Sequence, residues 1–446
     1  MRVTVIGTGY VGLVSGVCLA HLGHHVTCVD LDKERVSTIN KGNTPIAEPG
    51  LEDLLRAGLQ NGRFSATTDL RSSIQTSNIT MIAVGTPFGD GRIDLSFVLR
   101  AARDLGSALR ETRDYHVAVI KSTVVPTTTE SVVADAIAES SGKNIGVEIG
   151  LATNPEFLQE GFAVDNFLDP DRVVIGGVDE RSTTMVADLY ASFDCPIVLT
   201  TPSNAEMIKY TSNALLATLI SFSNEIAGVC ETIPGLDVET VMEGLHLDRR
   251  LSPLVNDQRI RPGILSYLKA GYGFGGSCLP KDVQALQSFA ASHGVAAPLL
   301  AAVMSINESR AKTLVARARG IVGDLADRRI AVLGVAFKPG TDDTRDSPAL
   351  RVIEELLDLK AHVHVFDPLA KVGPEYDGRV STAESIEEAM TGASAAFLTT
   401  AWPEFVSADW RQLILLMQDA VIVDGRNALR NISWPADVRY LPIGRC

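Results

Sequence analysis

The segment "VTVIGTGYVGLVSGVCLAHLGHHVTCVD" (residues 3–30) constrains the fold more than any other part of the chain. Its apolar start at 3–6 predicts a short strand, and three spaced glycines follow. Residues 13–23 then have a helical pattern, and residues 25–30 predict a second strand. Strand, glycine turn, helix and strand in this order make one βαβ unit. The segment therefore predicts a parallel sheet covered by helices.

The glycines of this turn also predict a ligand. Gly7, Gly9 and Gly12 form a G-x-G-x-x-G pattern, and Asp30 ends the next strand, about 20 residues further on. Such glycines permit a tight turn and let backbone N–H groups at a helix start approach a pyrophosphate. Asp30 would accept hydrogen bonds from the adenine ribose, which favours NAD over NADP. The alternative is a glycine turn that only packs a helix on a sheet.

Strand and helix patterns divide the chain into three predicted domains. They alternate through 1–202, which predicts an NAD-binding Rossmann domain. A helix of about 28 residues is predicted to open a helical domain at 203–318, where helical segments continue through 237–246 and 282–320. Strand patterns return in 319–446, a second Rossmann-like domain. The predicted fold class is α/β, with two Rossmann-like domains with parallel sheets joined by a long central helix and a helical middle domain.

Composition limits the partners and the compartment. The chain has 40 basic and 54 acidic residues, a formal net charge of −14, which argues against a general nucleic-acid binder. Its six cysteines form no C-x-x-C pair, and its eight histidines show no metal spacing, so no metal site is expected. No run of about 18 apolar residues predicts a membrane span. The strand-like start "MRVTVIG" gives no sign of a signal peptide, and a cytoplasmic protein is expected.

The stretch "GYGFGGSCLPKD" (residues 271–282) predicts a reactive thiol. Buried cysteines usually act as small hydrophobic residues within apolar runs. Cys278 instead follows four glycines and precedes a proline, a lysine and an aspartate. It is therefore the first candidate for a nucleophile, and the alternative is an inert buried thiol.

The second Rossmann-like domain has a different turn after its first strand. The segment "GVAFKPGTDDTRDSP" (334–348) lacks the spaced glycines and contains Lys338 and Arg345, while Asp367 follows the next strand. This cationic loop suits another phosphorylated ligand. The alternative is that both cations are solvated surface charges.

Several motifs occur in an order that resembles one family. They are "GTGYVG" (7–12), "VGTP" (84–87), "KSTVVP" (121–126), "NPEFLQEG" (154–161), "DPDRVVIGG" (169–177), "AEMIKYTSNA" (205–214), "GFGGSCLPKD" (273–282) and "FKPGTDDTRDSP" (337–348). Together they resemble the UDP-glucose/GDP-mannose dehydrogenase family over nearly the whole chain. The resemblance implies an NAD-dependent, four-electron oxidation of a nucleotide sugar's primary alcohol to a carboxylate. It also implies a thiohemiacetal and a thioester on Cys278, and a homodimer built around the long central helix.

The resemblance implies roles for individual residues. Lys209 would stabilise alkoxide and oxyanion forms, Asn213 would bind a substrate oxygen, and Asp282 would hold a water with the lysine. Glu156 would activate the hydrolytic water. The implied cofactor-binding residues are Gly7, Gly9, Tyr10, Val11, Gly12, Asp30, Arg35, Thr86, Thr123, Glu160 and Arg345, of which Thr123 also counts as catalytic. The implied substrate-binding residues are Glu156, Phe157, Leu158, Lys209, Asn213, Tyr267, Gly275, Lys338 and Arg426.

Some of these residues also have simpler interpretations. Lys209 could be an exposed lysine, as most lysines are. Glu160 and Thr123 could be capping or loop residues.

The chain departs from the family pattern before the cysteine. UDP-glucose enzymes have a single "D-x-R-I-G" stretch there, whose arginine reaches the neighbouring subunit's substrate. This chain offers Arg250, Arg259 and Arg261 within a longer segment, and the pattern does not choose among them. Leu279 stands where UDP-glucose enzymes often have phenylalanine. UDP-glucose is the first expected substrate, GDP-mannose the second and a UDP-N-acetylhexosamine the third.

Two other functional classes are weighed against this one. A two-electron hydroxyacid-type dehydrogenase shares the layout of domains but needs no cysteine. A sensor of NAD or of a nucleotide sugar would keep the glycine turn but could lose Cys278, Lys209 or Asp282. All three residues are present, which favours an enzyme.

Overall fold

The computed structural model describes residues 1–446 and confirms the predicted fold class. The chain divides into two compact units, Met1–Ser212 and Asn213–Cys446. The division falls within one helix, Pro202–Cys230. The boundaries of the three predicted domains stay predictions.

The first unit contains an eight-stranded sheet covered by helices. Its strands are β1 (Arg2–Ile6), β2 (His25–Val29), β3 (Phe64–Thr67), β4 (Ile79–Ile82), β5 (Phe88–Gly89), β6 (Arg92–Ile93), β7 (His116–Ile120), β8 (Ile149–Thr153), β9 (Val173–Gly177) and β10 (Ile197–Thr200). Its helices are α1 (Tyr10–His21), α2 (Lys33–Asn40), α3 (Leu51–Gln60), α4 (Leu70–Gln75), α5 (Ser96–Leu109), α6 (Ala134–Ser141), α7 (Ala163–Leu168), α8 (Glu180–Ala187) and the start of α9 (Pro202–Cys230). The strand order in the sheet is β10-β9-β8-β7-β4-β1-β2-β3, and β5 and β6 form a separate hairpin.

The sheet of the first unit is parallel as predicted except at one pair of strands. β9 runs antiparallel to β8, with Thr153 opposite Gly176. The segment between them does not cross the sheet as a covering helix. It stays at the carboxyl end of β8, so β9 starts at that edge and runs back. The carboxyl ends of β1, β4, β7 and β8 lie together at this edge of the sheet, which is where ligands bind in open α/β sheets.

Both faces of this sheet are apolar, as a sheet covered on two sides requires. Val5 faces a core that contains Leu13 and Leu55, and Ile82 faces a second core with Leu105. Every residue from Gly12 to Ala20 in α1 is buried, so the helix after the glycine turn is fixed firmly on the sheet.

The second unit contains helices that pack beside a six-stranded parallel sheet. Its helices after α9 are α10 (Val238–His246), α11 (Leu279–Ser292), α12 (Pro298–Val322), α13 (Pro348–Asp358), α14 (Ile386–Met390), α15 (Pro403–Val406) and α16 (Trp410–Leu413). Its strands are β11 (Leu254–Val255), β12 (Gln258–Arg259), β13 (Arg329–Leu333), β14 (His362–Phe366), β15 (Ser381–Thr382), β16 (Ala395–Leu398), β17 (Val421–Asp424) and β18 (Arg439–Pro442). The sheet order is β15-β14-β13-β16-β17-β18. The helical stretch predicted at 282–320 is two helices, because Gly294 takes a left-handed φ of +72° after α11.

The long helix α9 has 29 residues, close to the predicted length, and begins at Pro202. It is long and apolar enough to cross a membrane: one 18-residue stretch has a mean hydropathy of 1.2, and 44% of that stretch is buried within the protein. The buried residues of α9 include the polar residues Asn213, Ser223 and Asn224. Buried polar groups at these positions are typical of a helix packed against protein.

Candidate active site

The glycine turn after β1 has the shape of a phosphate cradle. Gly7 has a φ of +100°, and a Cβ there would lie 2.6 Å from the carbonyl oxygen of Ala83. A Cβ on Gly12 would collide with the carbonyl oxygen of Gly7. A Cβ on Gly9 would meet nothing within 4 Å, and no side chain caps α1 after it. The helix start therefore offers backbone N–H groups beside open space, which fits a pyrophosphate.

Asp30 is built into the same turn. Its Oδ2 accepts hydrogen bonds from the backbone N–H (2.8 Å) and the hydroxyl (2.6 Å) of Thr8, and its Oδ1 accepts from the N–H of Asp32 (3.1 Å). Burial alone would raise the pKa of Asp30, but these hydrogen bonds and the charge of Arg35 outweigh burial and lower the pKa. Asp30 is therefore ionised at neutral pH and remains partly exposed for a ribose. Arg35 lies beside the turn and donates to the carbonyl of Thr8 at 3.4 Å.

Two threonines of the predicted cofactor site meet behind this turn. Thr86 follows β4 and Thr123 follows β7, and the hydroxyl of Thr86 donates to the carbonyl of Thr123 at 2.9 Å. The structure thus places both at the edge where β1, β4 and β7 end.

The loop that contains Glu160 is tied to α1 through an acid that the sequence analysis missed. Glu48 is buried and accepts hydrogen bonds from the N–H groups of Gly161 and Ala163, each at 2.7 Å. The hydroxyl of Tyr10, at the start of α1, also donates to Glu48. Glu48 therefore holds the Glu160 loop against the start of the glycine-turn helix. The signal that could have revealed it is an acid enclosed by "PIAEPG" (45–50).

Glu156 and Lys209 form a buried ion pair. Lys209 Nζ lies 2.9 Å from Glu156 Oε1, and the two side chains are 4% and 6% exposed. The N–H of Leu158 donates to Oε2 of the same carboxylate at 2.6 Å. Burial would raise the pKa of Glu156, but the adjacent Lys209 and the Leu158 N–H lower it. Lys209 is thus buried and charge-paired, unlike the exposed lysine that was its alternative.

Phe157 lies next to this pair. Its ring faces Lys209 Nζ at 5.4 Å and the guanidinium of Arg172 at 4.1 Å. Both distances are within the range of cation–π interactions.

A second buried lysine, missed by the sequence analysis, lies at the end of β7. Lys121 Nζ donates to Oδ1 of Asn154 at 2.9 Å. Burial lowers the pKa of Lys121 to about 8, against the charge of Glu156, which raises it. The signal that could have revealed it is a lysine near the end of the strand-like run "HVAVIKS" (116–122), because the strand ends of a parallel sheet gather at one edge.

Cys278 lies at the start of a helix in the second unit. It is the N-cap residue of α11, is partly exposed, and its sulfur is 3.5 Å from the hydroxyl of Ser277. The partial positive charge at a helix N-terminus stabilises a thiolate.

The glycines before the cysteine have a packing role that the sequence analysis did not foresee. A Cβ on Gly275 would collide with the carbonyl oxygen of Asp346, and a Cβ on Gly276 would lie 2.9 Å from the ring of Phe337. The N–H of Gly276, at a φ of +81°, donates to the carbonyl of Arg345 at 2.9 Å. The cysteine loop therefore packs directly against the cationic loop after β13, and glycine is required for that approach.

Asn213 and Asp282 are in contact within the second unit, one helical turn after the cysteine. Asn213 Nδ2 donates to Oδ2 of Asp282 at 2.6 Å, and Asp282 is 1% exposed. Lys281, which the sequence analysis did not assign, donates to the other oxygen of Asp282. This carboxylate is therefore oriented from both sides.

The predicted sugar-nucleotide residues of the second unit differ in their surroundings. Arg426 is partly buried, its Nε donates to the carbonyl of Thr399 at 2.6 Å, and desolvation lowers its pKa. Arg345 is exposed and forms a bidentate pair with Asp343, at 2.9 Å and 2.6 Å. Lys338 Nζ lies 5.6 Å from the ring centre of Phe337.

Two other residues of the second unit bear on the prediction of a nucleotide-sugar site. Tyr267 is half-buried on a short 3₁₀ helix, Gly263–Tyr267, and burial raises its pKa. Asp367, the acid after β14, accepts from the N–H groups of the loop after β13 and from the indole of Trp402. The carboxylate oxygens of Asp367 are therefore used as hydrogen-bond acceptors for that loop, whereas binding of a ribose would require acceptors that are available.

The three candidate arginines before the cysteine have different contacts. Arg250 forms a bidentate pair with Asp248 (2.6 to 3.2 Å). Arg259 donates to the carbonyls of Leu247 and Ser252, at 2.8 Å and 2.9 Å. Arg261 is exposed and makes neither kind of bond.

A Rossmann-type glycine turn with an acid at the end of the next strand, together with a buried Lys–Glu pair, is typical of an NAD-binding oxidoreductase. Three family models match the chain: the UDP-glucose/GDP-mannose dehydrogenase family NAD binding domain at 1–194, its central domain at 203–309 and its UDP binding domain at 331–431. The chain therefore belongs to the UDP-glucose/GDP-mannose dehydrogenase family, as the resemblance predicted, and NAD is its cofactor.

Three relatives show how similar the chain is to known members. It is 40% identical to a UDP-glucose 6-dehydrogenase of Rhizobium meliloti over 100% of both chains. It is also 40% identical to a GDP-mannose 6-dehydrogenase of Pseudomonas putida, over 82% of this chain and 81% of that one. Among solved structures, a UDP-glucose dehydrogenase from Pyrobaculum islandicum is 36% identical with a TM-score of 0.88, over 100% of this chain and 98% of that one.

Proposed function

We propose that this protein oxidises UDP-glucose to UDP-glucuronate through covalent intermediates on Cys278. The observation that carries the proposal is the partly exposed thiol of Cys278 at the N-terminus of α11, where the helix start stabilises a thiolate. NAD supplies the hydride acceptor for both oxidations. The thiol adds to the aldehyde from the first oxidation and gives a thiohemiacetal. The carbon of this adduct again bears a hydroxyl group and a hydrogen that can leave as hydride. Its oxidation leaves a thioester, and water releases the acid and the free thiol.

The side chains of Lys209, Glu156 and Asn213 suit the charges that develop in these steps. Lys209 would stabilise the alkoxide of the alcohol and the oxyanions that follow, because a desolvated cation interacts strongly with a new negative charge. Glu156 is ionised and would accept a proton from the hydrolytic water. Asn213, oriented by Asp282, would donate to a substrate oxygen.

A UDP-sugar is favoured by the matching UDP binding domain and by the similarity to UDP-glucose 6-dehydrogenases. The cations Lys338 and Arg426 would face the diphosphate. Leu279 and the hairpin formed by β11 and β12, which is close to the cysteine in sequence, depart from the pattern of UDP-glucose enzymes. For this reason GDP-mannose remains the second candidate substrate and a UDP-N-acetylhexosamine the third.

A panel of nucleotide sugars tests the substrate. We expect two NADH per molecule of UDP-glucose consumed, with little turnover of GDP-mannose or UDP-N-acetylhexosamines, measured by NADH absorbance and product analysis. One NADH per molecule with every sugar would refute the covalent four-electron route. A clear preference for GDP-mannose would keep the route and overturn the substrate.

The same assay with NADP tests the role of Asp30. A 2′-phosphate beside this ionised carboxylate would be repelled by about 4 kcal/mol at 4 Å and an effective dielectric constant near 20, less with solvent exposure. A quarter to a half of that predicts a preference for NAD on the order of tenfold in kcat/KM. Equal kcat/KM with the two cofactors would contradict the assignment.

We also propose that the protein is a homodimer and that Arg261 is the arginine that reaches the partner's substrate. The exposed apolar residues Leu215, Phe222 and Val229 lie about two turns apart on α9, the helix that the family resemblance places at the interface. Arg250 and Arg259 are engaged in their own loop, which leaves Arg261 as the candidate.

Mixed dimers test both statements. Combining Arg261→Ala subunits with Cys278→Ala subunits places one intact site in each mixed dimer only if the arginine serves the partner's site. We expect one such site, because the subunit that keeps Cys278 receives Arg261 from its partner. Isolated mixed dimers as inactive as the two parent variants, or a monomer in sedimentation experiments, would contradict the proposal.

We propose a cytoplasmic location. None of the six cysteines forms a disulfide bond, which is typical of a reducing compartment.

A further inference from the structure

Lys121 presents an unusual environment for a lysine. It is the residue directly after β7, it is 5% exposed, and its hydrogen-bond acceptor is the neutral amide of Asn154. Lysines are almost never fully buried unless they are paired with a charge. A buried ammonium group held by a neutral amide therefore needs another group to compensate its charge.

The amide of Asn154 is fixed in one orientation. Its Nδ2 donates to the carbonyl of Val174 at 2.8 Å, so its Oδ1 faces the other way. That oxygen accepts from Lys121 and from the hydroxyl of Tyr190, at 2.9 Å and 2.6 Å. The ammonium group is thus held at a fixed place by strands of the sheet and not by a flexible partner.

The compensating charge is Glu156. Lys121 and Glu156 line one cavity of about 100 Å³. The carboxylate acts on both Lys121 and Lys209, and the two lysines repel each other. Three further charged groups line the cavity: Arg172, which stacks on Phe157, and the carboxylates of Asp169 and Asp171. Tyr190 also faces Lys121, and burial raises its pKa, so it stays neutral.

Lys121 and Lys209 can have different roles in the proposed reaction. In the proposed reaction Lys209 must serve a developing oxyanion, and its interaction with Glu156 weakens at that moment. A buried carboxylate without a counter-ion takes up a proton. Glu156 would then be unable to accept one from water.

We infer, on the basis of the proposed function, that Lys121 is a positioning residue for Glu156, which keeps this carboxylate ionised and in place while Lys209 interacts with the reacting oxygen. Lys121 touches neither the sugar nor the thioester in this role.

A Lys121→Met variant tests the inference through a pH profile. Removing a nearby positive charge raises the pKa of a carboxyl group, so Glu156 is protonated at a higher pH and the acidic limb of the hydrolysis rate moves upward. We expect a shift of about one unit or more, hence about a tenfold slower hydrolysis at a pH on that limb. The readout is the single-turnover formation of the acid after the second NADH. The KM for UDP-glucose should stay within about threefold, since the sugar is not contacted.

Four further variants keep the test decisive. Lys121→Arg retains the cation and should restore the acidic limb, and Lys121→Gln replaces Lys121→Met if the latter does not fold. Tyr190→Phe removes the other hydrogen bond to Asn154 without changing charge, and its acidic limb should stay that of the wild type. An unshifted limb in a folded Lys121→Met or Lys121→Gln variant overturns the inference. Glu156→Gln separates the two levels: unchanged hydrolysis in that variant refutes Glu156 as the base, whereas lost hydrolysis with an unshifted Lys121→Met profile refutes only the role of Lys121.

Discussion

A Cys278→Ser variant is expected to form the acid on the order of 10⁴-fold more slowly than the wild type, while NAD and the nucleotide sugar still bind. The helix start behind residue 278 stabilises a thiolate, but it cannot ionise a serine hydroxyl to a useful extent at neutral pH. Serine is also close to cysteine in size, so the glycine loop keeps its packing against Phe337 and Asp346. The measurement is acid formation by product analysis beside equilibrium binding of NAD and UDP-glucose.

Cys278→Ala separates the two oxidations. Without a nucleophile the first oxidation ends at the aldehyde, so at most one NADH should appear per sugar. Ser277→Ala, a neighbour with a hydroxyl 3.5 Å from the sulfur, is the matched control and should keep two NADH per sugar. Wild-type acid formation by the Cys278→Ala variant would sink the thioester route.

The parts of the fold that the sequence predicted correctly are those specified by local pattern. The β1–α1–β2 unit follows from an apolar run, spaced glycines and an acid, all within 30 residues. β3 was missed because "FSAT" contains a single large apolar residue, Phe64, and so gives only a weak strand pattern. The reversed direction of β9 was missed because it depends on where the connection after β8 lies, which no short pattern encodes.

The same distinction applies to the site. Cys278 stands out because its neighbours in sequence are unusual, and Lys209 because it lies in a family motif. Glu48 and Lys121 were missed because their partners are remote in sequence; Glu48, for example, bonds to residues more than 100 positions away. Burial, which makes these charges consequential, is a property of the folded chain.

A Lys209→Met variant is expected to lose both activity and stability. Methionine fills a similar volume without the charge. Loss of the cation should lower kcat by about 10² to 10³-fold, as for removal of an oxyanion-stabilising group. Removing one partner of a buried pair leaves an uncompensated charge and costs about 3–5 kcal/mol of unfolding free energy. Steady-state kinetics and chemical denaturation measure the two effects, and Lys312→Met, an exposed lysine on α12, is the control that should change neither.

The stability loss should depend on pH in a direction that identifies Glu156. In the wild type the lowered pKa of Glu156 contributes stability above its unfolded value, and that contribution is lost as the pH falls. Without Lys209, Lys121 and the Leu158 N–H still act on Glu156, but the ion-pair partner at 2.9 Å is gone, so the pKa of Glu156 rises, the ionised carboxylate is less stable at neutral pH and protonation relieves it. The difference in unfolding free energy between Lys209→Met and wild type should therefore shrink from pH 7.5 to pH 5. In Lys209→Met/Glu156→Gln, stability should recover in part, because the buried carboxylate is gone although Lys121 then lacks its compensating charge, but activity should not recover. A deficit that is the same at both pH values, or a double variant as unstable as Lys209→Met, would show that packing and not the ion pair stabilises this site.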